Sequence, residues 1–349
     1  MNILIVKTSA IGDVTHTLPA LAALRKKYPG AKIDWLVEEA AADLLRGAVD
    51  IDRLLVSRRR YWWSEMKKGP RRGLAALADF FSLVRKLRAR RYDLLFDFQN
   101  LLKSSLFVLL ARAEKKIGFG RGMEHAEMSY IFLNERVKPV SMDIHAAKRE
   151  LLLLESLGIE TSGCAPALVP DNQALERVRA MLAEGEGEGP LVAINPIATW
   201  PSKLWRKQGF AGTVNSLLAK GCRVVMTGGP GDCDSVARII AGLEKEVVNL
   251  CGRTSLLELC ALYSICELVI STDTGPMHIA AAVGAPVLAI FGSTAPWRTG
   301  PVGEKHRVLR LELACSPCLK KVCPRGDHAC MAGIDEATVT TAAYEMLGL

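Results

Sequence analysis

No stretch of this 349-residue chain is apolar for long enough to cross a bilayer. The longest nearly apolar run, Pro276 to Phe291, is about 16 residues and contains His278, Gly284 and Pro286. A spanning helix needs roughly 20. The start, MNILIVKTSA, has neither a charged leader before its apolar stretch nor a cleavage pattern, so it reads as a strand and not as a secretory signal. The expectation is a soluble, cytosolic chain that meets a membrane only from its surface. The loop Lys7-Thr8-Ser9-Ala10-Ile11-Gly12-Asp13 carries one glycine where a dinucleotide fingerprint needs three, which excludes G-x-G-x-x-G chemistry there. Aromatic residues make up only 6% of the chain. No repeat on the scale of a solenoid is visible.

Acidic residues are the minority, 37 against 45 Lys plus Arg, for a net charge of +8. The excess is concentrated. Between Arg58 and Arg91 stand twelve basic residues against Glu65 and Asp79 alone. Such a block implies an acidic partner. Few aromatics beyond Tyr61, Trp62 and Trp63 interleave it, which argues against nucleic acid and leaves an anionic substrate or membrane surface. Ten cysteines are present. Six are scattered singly, and four cluster as Cys315-x2-Cys318-x4-Cys323-x6-Cys330. Only the first of those spacings is typical of zinc, so the cluster reads as a loop of packed thiols ahead of a metal site.

Apolar strands alternate with helix-period segments along the whole chain. The first series has strands at 3–6, 32–37, 53–56, 93–98 and 116–119, with helices at 14–27, 40–46, 74–91, 101–112 and 143–157. A loose region follows, ending in the low-complexity stretch Glu184 to Pro190. The alternation then restarts, with strands at 191–195, 223–227, 247–249, 268–271 and 287–291. This pattern predicts an α/β chain with two doubly wound parallel-sheet domains. In such sheets ligands bind beyond the carboxyl ends of the strands, and the expected site is a cleft between the domains.

The candidates for chemistry fall at strand-to-helix junctions. In Ser271-Thr272-Asp273-Thr274-Gly275-Pro276-Met277-His278 a buried strand runs directly into a small-residue helix. Backbone N–H groups, hydroxyls and the positive end of the helix dipole then meet at one point, which suits a phosphate or pyrophosphate. His278 is near enough to reach the same ligand. An ordinary capped helix would look similar. Asp13 serves either as an N-cap or as a general base, with Lys7 as a nearby cation. Lys203, with Thr199 and Ser202 beside it, reads as a phosphate clamp or a solvated lysine. Asp232, after Gly228-Gly229-Pro230, could accept from ribose hydroxyls, and the same glycines also make a plain turn. Two D-x-D pairs, Asp50/Asp52 and Asp232/Asp234, are not read as metal-binding.

Together these residues resemble glycosyltransferase family 9, the heptosyltransferases of lipopolysaccharide core assembly. The resemblance covers essentially the whole chain. It is most specific in LIVKTSAIGDVTHTLPAL, in Lys203-Leu204-Trp205 and in STDTGPMHIAAAVGAPVLAIFG. IDWLVEE and SRRRYW are most similar to heptosyltransferase I, and CSPCLKKVCP to heptosyltransferase II and its relatives. The resemblance implies a GT-B fold of two Rossmann-like domains: residues 1–165 for the acceptor, 166–335 for the ADP-sugar, and a helix within 336–349 packing back on the first domain. It also implies inverting transfer of heptose from ADP-heptose to the Kdo of Kdo-lipid A, with no metal and no cofactor. Asp13 falls on the family's catalytic base. Lys203, Asp273, Thr274, Gly275 and His278 fall on donor pyrophosphate positions, Asp232 near the ribose acid, and Thr199 on a donor-loop hydroxyl, although Trp200 and Pro201 depart from the polar residues expected beside it. Lys7, Arg58, Arg59 and Arg60 would meet the acceptor, on the inner face of an anionic inner membrane. The alternative within the family is heptosyltransferase II or another sugar-nucleotide transferase with a different acceptor.

Overall fold

The computed structural model describes residues 1–46, 48–124, 127–183 and 188–349. The chain divides into two units, Met1–Pro166 and Ala167–Leu349. Most of the acidic low-complexity stretch expected to link them, residues 184–187, lies outside the described residues.

The first unit holds strands β1 (Asn2–Val6), β2 (Lys32–Glu38), β3 (Arg53–Ser57), β4 (Tyr92–Asp97), β5 (Ala113–Phe119) and β6 (Glu135–Val137). Its helices are α1 (Ile11–Lys27), α2 (Glu39–Leu45), α3 (Arg59–Met66), α4 (Pro70–Arg88), α5 (Leu102–Leu110) and α6 (Ala146–Glu155). The sheet order is β3-β2-β1-β4-β5-β6, and every pair is parallel. Ile5 of β1 lies opposite Trp35 on one side and Phe96 on the other. Parallel strands need long crossovers, so helices cover both faces and the central strands read as continuous apolar runs. Leu4, Val6, Leu36, Leu55, Leu95, Phe107 and Val108 form the core on one face.

The second unit repeats the plan. Its strands are β7 (Leu191–Asn195), β8 (Arg223–Met226), β9 (Val248–Asn249), β10 (Leu268–Thr272), β11 (Val287–Ile290) and β12 (His306–Leu309), in the order β12-β11-β10-β7-β8-β9. Read from the other edge, this is the same winding as in the first unit. The helices are α7 (Asn172–Leu182), α8 (Lys207–Ala219), α9 (Cys233–Ile240), α10 (Leu256–Ser264), α11 (Gly275–Ala282), the short α12 (Pro296–Thr299) and α13 (Ala329–Ala332), and α14 (Glu336–Leu347). In both units the order reverses between the first and fourth strands of the series, β1/β4 and β7/β10. That is where an open α/β sheet binds ligands.

Three elements differ from the sequence expectation. The region read as loose after Leu157 contains α7, started by the Asp171 carboxylate accepting from the Ala174 N–H at 3.0 Å. The basic stretch at Arg59 forms α3, held to α4 by Trp62, which is buried, stacks edge-on against Phe80 and donates to Asp79 at 2.6 Å. The C-terminal helix, expected to pack back on the first domain, buries Val339, Ala342 and Ala343 in the core of the second unit. Its Tyr344 hydroxyl donates to the Ser216 carbonyl of α8 at 2.9 Å.

Candidate functional site

In the second unit β10 ends at Thr272 and α11 begins at Gly275, with Thr274 as the N-cap residue. Thr274 is extended and makes no side-chain capping bond. In the first turn of α11 Pro276 has no N–H and the Met277 N–H donates to the Thr274 carbonyl at 3.1 Å, so the backbone donor without a side-chain cap is the Gly275 N–H. Asp273, between strand and cap, is 4% exposed. One of its carboxylate oxygens takes the Lys203 ammonium at 2.7 Å and the Thr294 hydroxyl at 2.6 Å. Lys203 also lies 4.7 Å from the centroid of the Trp200 ring. Lys203 and Asp273, distant in sequence, therefore meet at the start of the same helix. An anion at that point would face a cation and a helix dipole, with Asp273 holding the cation in place.

The loop that carries Lys203 is fastened from below. Ser202 donates through its hydroxyl to the Lys320 carbonyl at 2.6 Å and through its N–H to the Lys321 carbonyl at 3.2 Å. It also shares a 3.0 Å hydrogen bond with Ser293. Lys320 and Lys321 belong to the four-cysteine segment, whose thiols are all free and partly buried. Among the described residues, no group of three or more His, Cys, Asp or Glu side chains could hold a metal ion. The segment thus forms a floor under the lysine loop.

Asp232 sits just past β8, the strand beside β7, where its carboxylate accepts from the Gly229 N–H at 2.9 Å and closes the Gly-Gly-Pro turn. Gly228 is required there by close approach: a Cβ would lie 2.7 Å from the Cys251 sulfur. Burial and the neighbouring Cys233 push the Cys251 thiol up to about 12, so it stays protonated. Thr199 is exposed, and His278 is buried within α11.

In the first unit the candidates gather past the ends of β1, β2 and β4. Asp13 is the third residue of α1 and is exposed. Its Oδ2 accepts from the Ala10 N–H at 2.8 Å, which fixes the carboxylate at the mouth of the β1 exit. The loop itself hangs on Gln99, whose Oε1 accepts from the Thr8 N–H, the Thr8 hydroxyl and the Ser9 N–H at 2.8, 3.0 and 3.0 Å. Lys103, in the first turn of α5, donates to the Ser9 hydroxyl and lies 3.9 Å from Glu38. Burial lowers its pKa and the Arg59 charge adds to that, against the opposing pull of Glu38 and Asp13. Neither Gln99, Lys103 nor Glu38 stood out in the sequence, because Glu38 ends β2, Gln99 follows β4 and Lys103 opens α5, and only the sheet order brings these beside the β1 exit.

Lys7, expected at the acceptor, is 8% exposed. Its ammonium donates to Glu150 of α6 at 2.6 Å and to the Phe98 carbonyl at 3.0 Å. Burial opposes the charge, yet the carboxylates of Glu150 and Asp13 outweigh it and hold the ammonium protonated. A charge neutralised this closely ties β1 to α6 and has little left for an acceptor.

The arginines divide. Arg58 pairs with Glu39 at 3.0 Å and lies over Tyr61; Arg59 pairs with Glu38 at 3.1 Å. Arg60 is exposed and makes no ion pair with a described residue. These three, with Glu38, Glu39, Ala40 and Ser57, line a cleft of about 160 Å³. The Ser57 hydroxyl is buried there with no hydrogen-bond partner. Arg90, within the basic block, is structural, as is Arg53 before it. Asp34, fully buried, takes Arg53 at 2.6 Å, Arg90 at 2.5 Å and the Tyr92 hydroxyl at 2.7 Å.

The sequence profile of glycosyltransferase family 9 (heptosyltransferase) matches residues 80–328. Lipopolysaccharide heptosyltransferase 1 of Pseudomonas aeruginosa is 30% identical over 93% of this chain and 87% of its own length. Lipopolysaccharide heptosyltransferase 2 of Salmonella typhimurium is 27% identical over 99% of each. The solved structure of the E. coli heptosyltransferase WaaC with ADP superimposes with a TM-score of 0.78 at 24% identity, covering 99% of this chain and 100% of that one. The twice-wound parallel sheets are thus the GT-B arrangement of these enzymes. With that profile spanning more than half of the chain and a relative 30% identical over nearly all of it, the chain belongs to glycosyltransferase family 9, the heptosyltransferases.

Proposed function

We propose that the chain transfers L-glycero-D-manno-heptose, with inversion, from ADP-heptose to the Kdo of Kdo-lipid A in the lipopolysaccharide inner core. The first unit supplies the acceptor groups and the second the donor groups. The observation that carries this reading is the Lys203 ammonium held by Asp273 at the uncapped start of α11. A leaving diphosphate builds negative charge, and a fixed ammonium with the Gly275 N–H and the helix dipole behind it would stabilise it without reorganisation or a metal. That a structure of the same fold, a heptosyltransferase, was solved with ADP supports a nucleotide diphosphate as part of the ligand. In this reading Thr274, Gly275 and His278 line the pyrophosphate site, Asp273 acts through Lys203, and Thr199 and Asp232 meet the sugar and ribose.

On the acceptor side, inverting transfer needs one carboxylate to accept the hydroxyl proton as the nucleotide departs from the opposite face. Asp13 has one oxygen anchored by the Ala10 N–H, which aims the other. Arg60 and the cleft beside it would pair with the acceptor's carboxylates and phosphates. The work would take place at the inner face of an anionic membrane.

The test is to incubate the chain with ADP-heptose and Kdo-lipid A and weigh the product by mass spectrometry. Addition of one heptose is expected. A second reading, transfer to a heptose-terminated acceptor, draws on CSPCLKKVCP and on the nearly equal identity to heptosyltransferases 1 and 2. Turnover only on that acceptor would select it, and turnover on neither would reject both.

A further inference from the structure

Helix α4 is apolar on two opposite faces. Ala76, Leu83 and Leu87, with Phe80, point into the core of the first unit. On the other side Leu74, Leu77 and Phe81 are 67%, 43% and 62% exposed. The spacing of three and four places these three on one stripe, and the same spacing extends it to Arg71 at one end and Arg85 at the other. The preceding helix α3 adds Trp63 and Met66, 63% and 44% exposed, with the Lys67 ammonium 5.3 Å from the Trp63 ring centroid. The two patches adjoin, since a Cβ on Gly73 would lie 3.8 Å from the Met66 backbone. The outward surface is held rigid from behind by the Trp62–Asp79 bond and the Trp62–Phe80 contact.

The charges around this surface are of one sign and uncommitted. Glu65 is taken by Lys68 and Arg72, and Asp79 by Trp62 and Arg58. Arg60, Lys67, Arg71, Arg85, Lys86 and Arg91 are exposed and make no ion pair with a described residue. An apolar stripe with cations at both ends and an exposed Trp matches the boundary between lipid headgroups and acyl chains. A second copy of the chain does not fit, because face-to-face contact would set Arg71 and Arg85 against like charges.

We propose that the outward face of the α3–α4 hairpin, Trp63, Met66, Leu74, Leu77 and Phe81 rimmed by Lys67, Arg71 and Arg85, docks the enzyme on an anionic bilayer. This names the surface behind the membrane partner of the preceding reading. It is tested apart from transfer, since vesicles need contain no acceptor.

The full chain should co-sediment with phosphatidylglycerol-containing vesicles, more weakly as salt rises, and should stay in solution with pure phosphatidylcholine. Arg71→Gln and Arg85→Gln should each weaken binding about fivefold. Leu77→Glu with Phe81→Glu should weaken it by about tenfold or more. Both sets should keep the wild-type melting temperature and the wild-type turnover on a water-soluble acceptor fragment. No binding to anionic vesicles at low salt would overturn the proposal. So would variants that bind as well as wild type, or a wild-type dimer in sedimentation velocity that Phe81→Glu dissociates.

Discussion

The Lys203 ammonium rests 2.7 Å from the Asp273 carboxylate, whose same oxygen also accepts the Thr294 hydroxyl. The acid and the base therefore act as one device. Asp273 fixes where the positive charge sits, and its own negative charge is spent in doing so.

This separates two roles for Asp273 by sign. If it holds Lys203, Asp273→Asn should weaken ADP binding, by about tenfold, as the lysine loses its anchor. If it merely opposed the phosphates, removing its charge would tighten binding. Calorimetry with ADP reads the direction. Lys203→Met should lower kcat further, by about 10²-fold.

Asp13→Asn should fold normally, because an amide oxygen can still accept from the Ala10 N–H. It should lower kcat by about 10²–10⁴-fold, the usual loss for a general base. Full turnover by this variant would remove Asp13 from the chemistry.

Lys103 is placed to position the β1 exit through Ser9. Lys103→Met should raise the acceptor KM while leaving ADP affinity unchanged, and Lys103→Arg should restore part of the loss. Equal effects on donor and acceptor would show a general folding defect instead.

Asp97, at the end of β4, is buried, and burial pushes its pKa up to about 6 against the stabilising bonds from Asn100, Gln99 and Ser104. The native state then keeps its proton where the unfolded chain has lost it. Stability from this group is present below about pH 4 and falls as pH rises through about 6. Asp97→Asn should flatten that slope in melting temperature and stabilise at pH 8 by at most about 3 kcal/mol. A melting profile unchanged between pH 4 and 8 would place the proton elsewhere.

Gly228→Ala should destabilise by about 1–3 kcal/mol because its methyl meets the Cys251 sulfur at 2.7 Å. Adding Cys251→Ala should recover much of that, a coupling readable by denaturant melts of the double-mutant cycle.

Much of the architecture was legible, for a reason that parallel sheets share. Strands such as LVIST and VLAI are buried on both faces, so they appear as unbroken apolar runs between helical periods. The lysine loop and the β10–α11 junction were legible because glycine, hydroxyls and charge coincide at a strand exit. What stayed hidden depends on neighbours in space. Arg90 looks like part of a solvent-facing basic block until Asp34 is found beside it, shared with Arg53. Lys7 looks available until Glu150 arrives from 143 residues away. Helix α7 was masked by the Gly- and Glu-rich sequence around it, although Asp171 marked its start.

The bonds from Ser202 to Lys320 and Lys321 make the thiol-bearing segment a mechanical support for the loop of Lys203, the residue proposed to grip the nucleotide. Lengthening, shortening or crosslinking residues 315–330 would therefore register first as altered affinity for ADP, even though no cysteine need ever touch it. Engineers seeking to strip reactive sulfur from this enzyme should preserve the backbone course between Leu319 and Lys321 before all else.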